Sequence, residues 1–102
     1  MIFAELEYEG DYDAIHHQLV AFLSKHFSRV DSGYQSDSWI WIFDGGEKVA
    51  VDSFSSMKHQ VKSAKPGPHV QGVIETLQRE YKVTIYESPE FEAHEDPPRG
   101  HV

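Results

Sequence analysis

At 102 residues and without cysteine, the chain has room for one modest core and excludes disulfides, thiolate metal sites and cysteine nucleophiles. Its 17 acidic against 9 basic residues, a net charge of −8, disfavour nucleic acid and anionic membranes, whose binding rests on cations that displace counterions from phosphates. No apolar run reaches membrane-spanning length and the first ten residues lack the basic start of a secretory signal, so the expectation is a soluble, cytoplasmic chain with no membrane partner.

The chain opens on "IFAELEY", in which Ile2, Ala4, Leu6 and Tyr8 alternate with Phe3, Glu5 and Glu7. Period two predicts a half-buried strand. "EGD" breaks it, and Asp11 or Asp13 can cap the helix that follows. From Tyr12 to Phe27 the apolar residues Ile15, Leu19, Phe22 and Leu23 recur at helical spacing, with His26 inside the stripe near its end. His16 and His17 are adjacent and point to different sides of that helix. "SRVDSGYQSDS" is polar and serine-rich, and reads as a loop or as the lead-in to a strand.

"SWIWIFDGGEKVAVDSF" predicts a β-hairpin turning at Gly45-Gly46, whose residues supply the positive φ angles of a two-residue turn. The register then pairs Asp44 with Glu47, Ile42 with Val49 and Ile40 with Val51 on one face. On the other, Phe43 faces Lys48, Trp41 faces Ala50 and Trp39 faces Asp52. Extending that register brings Tyr34 to Met57 and Val30 to Val61, one long arm reaching about residue 62. "AKPGPHV" predicts a helix start, with Gly67 as cap and Pro68 in the first helical position. Val70, Ile74, Leu77 and Tyr81 carry the apolar stripe of that helix, and "KVTIYE" is the last strand. Residues 1–88 are thus expected to form one domain, and 89–102 an acidic, proline-rich, flexible tail.

Strand, helix, strand, strand, helix, strand is the order of a ferredoxin-like βαββαβ sandwich: a four-stranded antiparallel sheet with two helices on one face. On that geometry Ile2, Ala4, Leu6, Ile40, Ile42, Val49, Val51, Val83 and Ile85 meet the helices. Phe3, Trp39, Trp41, Phe43, Phe54 and Tyr86 share the open face, with Glu5, Glu7 and Asp52 among them. An apolar patch of that kind marks an interface. The aromatic display resembles that of RNA-binding sheets, but the carboxylates on the face argue against nucleic acid. The expected partner is a second copy of the chain, or a basic protein drawn to rings surrounded by carboxylates; cover by the tail through Phe91 is the remaining possibility.

Between Asp52 and Glu75 there is no acidic residue, and Lys58, His59, Lys62, Lys65 and His69 lie in that gap. They form a candidate anion site before the second helix, unless the segment is simply a solvated edge strand whose lysines discourage aggregation. The seven histidines match no metal-ligand spacing, so neither a metal site nor a cofactor is expected. The alternative to an interaction module is a cofactor-independent enzyme or ligand binder on a dimeric ferredoxin-like scaffold, with His26, Tyr34, Trp39, Trp41 and His59 as its candidate residues.

Overall fold

A computed structural model describes residues 1–92. Strand β1 (Ile2–Glu7) leads into helix α1 (Tyr12–His26), then come β2 (Val30–Gln35), β3 (Asp37–Asp44), β4 (Glu47–Asp52), β5 (Gln60–Ser63), helix α2 (Pro68–Leu77) and β6 (Lys82–Glu90). The six strands form one open antiparallel sheet in the order β2-β3-β4-β5-β1-β6. The fold is α+β, but it is not the four-stranded ferredoxin-like sheet expected from the element order.

The β3–β4 hairpin has the expected register at all six pairs, from Asp44 with Glu47 to Trp39 with Asp52. Gly45 and Gly46 take φ angles of 59° and 83°, the left-handed pair that a two-residue turn of this hand requires. Beyond the hairpin the expected long arm does not form. Ser36 adopts a positive φ of 68° and reverses the chain, so that residues 30–35 fold back on β3 with Val30 opposite Ile42. On the other side the chain leaves β4 at Asp52 and returns as β5, with Val61 opposite Val51. Ser38 and Ser53 tie the two departures together: the Ser53 amide donates to the Ser38 carbonyl (3.0 Å) and the Ser38 amide to the Ser53 hydroxyl (3.1 Å). Each serine satisfies a backbone group that the interrupted ladder would leave unpaired.

Both helices cover the same face of the sheet. Helix α1 packs on β2 and β3, and α2 on β4, β5 and β6. Leu19 and Leu23 of α1 and Val73 and Leu77 of α2 are fully buried against Ala4, Leu6, Ile40, Ile42, Val49, Val51 and Val61. Asp11 stands at the α1 N-cap without a side-chain capping bond, and Gly67 and Pro68 start α2 as expected.

One strand departs from simple alternation. Between Ile2 and Ala4 the β1 register slips, and the partner on β6 jumps from Glu90 to Ile85. The irregularity exchanges the two neighbours. Ile2 falls in the row of Lys62, Ala50 and Trp41, while Phe3 joins the helix-side core. The expectation that placed Phe3 on the open face and Ile2 beneath the helices is therefore reversed. At the far end, β6 runs to Glu90, two residues past the expected domain boundary; the tail expectation for residues 93–102 lies outside the described residues.

Candidate functional site

The face away from the helices divides into an aromatic half and a polar half. On the aromatic half, alternation along β3 turns Trp39, Trp41 and Phe43 outward, all partly exposed. The two indoles meet with ring centroids 4.5 Å apart at 40°. Trp39 lies flat over Gly33 of β2: a Cβ there would come within 2.4 Å of the indole, so glycine is what lets the ring settle on the strand. Cations cap the other two rings. The Lys48 ammonium sits 4.2 Å from the Trp41 ring centre and the Arg29 guanidinium 4.5 Å from that of Phe43. Such contacts cover π-faces while keeping the charge in water.

On the polar half, Gln60 donates to the Glu5 carboxylate (3.1 Å) and to the Tyr86 hydroxyl (3.3 Å), and Thr84 donates to Glu7. Tyr86 thus reaches the open face, but apart from the indole pair. Phe54, in the loop after β4, is 54% exposed, and its ring centre lies 5.9 Å from the Lys62 ammonium.

Between the two halves lies a groove of about 620 Å³, lined by Trp41, Ala50, Asp52, Phe54, Lys62 and Glu92 among others. Lys62 stands at its base. Of the two readings of its segment, a candidate anion site or a solvated edge strand, the edge strand does not hold: β5 is an interior strand, and the Lys62 side chain is buried between two carboxylates, Asp52 at 2.5 Å and Glu92 at 2.6 Å. Burial pushes the Asp52 carboxyl above its ordinary range, against the opposing pull of the Lys62 ammonium. Ser55 completes the cluster, donating its hydroxyl to the same Glu92 oxygen that Lys62 holds.

The other expected anion-site residues do not converge. Lys58 donates to the carbonyls of Tyr8 (2.6 Å) and Gly10 (2.7 Å), and Lys65 pairs with Glu47 at 2.9 Å. His69 is buried against the Ser63 hydroxyl and the Lys65 carbonyl, each at 3.1 Å.

His59 belongs to a different assembly, beneath the helices. Its Nε2 lies 2.7 Å from the Ser38 hydroxyl, and that oxygen also bonds His16 Nδ1 from α1. Its Nδ1 lies 2.9 Å from the Tyr8 hydroxyl, which in turn accepts the His59 amide at 3.2 Å. With both imidazoles neutral, Tyr8 can donate to His59 Nδ1, His59 Nε2–H to Ser38 and the Ser38 hydroxyl to His16 Nδ1, so all four groups are satisfied without a charge. Burial drives the His59 pKa from 6.5 down to about 4, helped by neighbouring His16. His16 is lowered too, by burial and by His17. Ser38 and His59 are fully buried, so the hydroxyl between two imidazoles is closed to a substrate and acts as a polar tie between α1, β3 and β5. Tyr34 stacks over His16 at 5.3 Å on the outer side.

The residues of the enzyme alternative are dispersed. Tyr34 and His59 belong to the helix side, Trp39 and Trp41 to the opposite face, and His26 is exposed beside Phe22 at the end of α1. Among the described residues no group of three His, Asp or Glu side chains is arranged to hold a metal ion, and no helix is long and apolar enough to cross a membrane. Neither protein-family models nor curated proteins nor solved structures give a match to this chain.

Proposed function

We propose that this domain is a self-associating interaction module whose open sheet face pairs two copies about a two-fold axis. The observation that carries this reading is the Trp39–Trp41–Phe43 stripe, partly exposed on a sheet face that neither helix covers. Four large rings, counting Phe54, bury about 150–250 Å² each when fully covered. With at most about a third of each stripe ring and about half of Phe54 left exposed in the monomer, no more than about 350 Å² per copy remains for a partner. A stable interface takes about 800 Å² per partner, so polar side chains flanking the stripe must supply the rest.

Those flanks are self-complementary. Asp31 on β2 lies in the row of Trp41, and Lys48 on β4 in the row of Phe43. A two-fold axis running along β3 lays β2 of one copy over β4 of the other, which brings Asp31 of each copy over Ala50 of its partner, two residues along the strand from the long, basic Lys48 side chain. Sedimentation equilibrium at micromolar concentration is expected to give twice the 11.7 kDa chain mass. Asp31→Lys should weaken the dimer by roughly tenfold, and adding Lys48→Asp should restore it. A monomeric wild type at 100 μM, or a double reversal no better than the single one, contradicts the reading.

A further inference from the structure

We propose that the Lys62–Ser55 cradle is a binding site for a monocarboxylate bearing an apolar or aromatic group, and that Glu92 occupies it as an intramolecular stand-in. Two donors converge on a single Glu92 oxygen, the Lys62 ammonium at 2.6 Å and the Ser55 hydroxyl. This geometry selects a carboxylate, because charge-assisted bonds from both donors to one oxygen are the strong kind. The occupant comes from just beyond the end of β6, whereas the cradle is built on the interior strand β5 and the loop after β4. Glu92 is therefore the displaceable member, and Asp52 the fixed counter-ion of Lys62, 2.5 Å away on the adjacent strand.

The exchange conserves charge. An incoming carboxylate takes the bonds that Glu92 gives up, so Lys62 keeps two anionic neighbours throughout. Without either carboxylate, a proton of the buried Lys62 ammonium loses its charged acceptor, while the exposed Ser55 hydroxyl turns to water. The groove supplies the second half of the specificity. Trp41, Ala50 and Phe54 line the 620 Å³ space beside the cradle, and they suit a ring or short alkyl chain attached to the carboxylate. The donors of the cradle, Lys62 and Ser55, lie outside the indole pair, but the groove shares Trp41, Phe54 and Lys48 with the proposed interface, so a bound ligand and a second copy compete for the same rings.

The test uses 3-phenylpropionate as probe and its uncharged amide, 3-phenylpropanamide, as control. Affinities are measured by isothermal titration, with amide spectra to locate the site and sedimentation to follow mass. Glu92→Ala vacates the cradle and should bind the acid at least tenfold more tightly than wild type, with shifts at Ser55, Lys62 and Trp41. The amide should bind neither protein to a comparable degree. Ser55→Ala in the Glu92→Ala background should lose most of the gain while leaving the spectrum folded. Equal affinity of wild type and Glu92→Ala for the acid, equal binding of acid and amide, or shifts elsewhere on the protein would each overturn the proposal.

Discussion

Replacing Trp39 and Trp41 together by Gln should convert the protein from dimer to monomer while its circular dichroism stays native-like. Both indoles lie on the face opposite the helix-side core, and neither belongs to that core. The fold should therefore lose only the indole–indole contact and the partial burial of each ring, on the order of 1–2 kcal/mol. The interface loses far more. Four Trp across a symmetric pair, each with at most about 80 Å² left to bury, amount to roughly 8 kcal/mol as a gross ceiling at about 25 cal/mol per Å². Association costs on the order of 4–15 kcal/mol and takes up most of it. Even a quarter of the ceiling, about 2 kcal/mol, weakens the dimer about thirtyfold. Light scattering and circular dichroism on the same samples separate the outcomes. Unfolding of the double variant would mean that the indoles are part of the monomer's own packing.

A second large effect is expected on acidification. His59 is held neutral by burial, with a folded pKa of about 4 against 6.5 for a free imidazole. Below pH 6.5 the unfolded chain takes up a proton that the folded chain refuses, so stability is complete above that pH and falls as pH drops toward 4. The difference corresponds to about 3 kcal/mol, lost across that window. The groups facing the imidazole offer no compensation: the Tyr8 and Ser38 hydroxyls take its nitrogens, and the Lys58 ammonium lies 4.5 Å from the Tyr8 ring centre. His16 adds to the loss in the same direction. Asp52, whose carboxyl is raised, works the opposite way and gains relative stability on acidification. Urea unfolding of wild type and His59→Gln from pH 7.5 to 4 isolates the contribution of His59. The variant should be less stable at pH 7.5 and should lose most of the wild-type slope; parallel profiles would reject the assignment.

The hairpin was legible because two independent signals agreed. Gly45-Gly46 sets the turn, and the alternation of Ile and Val with Trp and Phe sets the faces, so a slip by one residue would have turned every ring inward. What followed was not legible because the signals there are weak. The reversal at Ser36 uses a serine in a left-handed conformation, without the glycine or asparagine that normally marks such a turn. Reading through it merged β2 with β3 and β5 with β4, and hid two of the six strands. The misplacement of Phe3 came from a register slip that leaves no trace in composition. The charge of Lys62 points to an anion site or a solvated edge, and nothing in the local sequence shows that an interior strand buries it between Asp52 and Glu92.

The chain linking Tyr8, His16, Ser38 and His59 is drawn from four separate stretches of sequence, and only the fold brings them together. The excess of histidine was visible, but spacing rules search for ligands along one element and find none here. Of the six residues expected on the interface, Trp39, Trp41 and Phe43 form the stripe, Phe54 lies at the groove, and Tyr86 belongs to the polar half. Phe3 is under the helices. The legible part of the site is thus the part carried by one regular strand.

The most direct measurement is a filtered nuclear Overhauser experiment on a mixture of isotope-labelled and unlabelled protein, which detects only contacts between copies. Open-face pairing predicts cross-peaks from the indole protons of Trp39 and Trp41 in one copy to the β2–β4 residues of the other, Ala50 and Lys48 foremost. Cross-peaks confined to helix residues, or none at a concentration where the mass is that of a dimer, would contradict it.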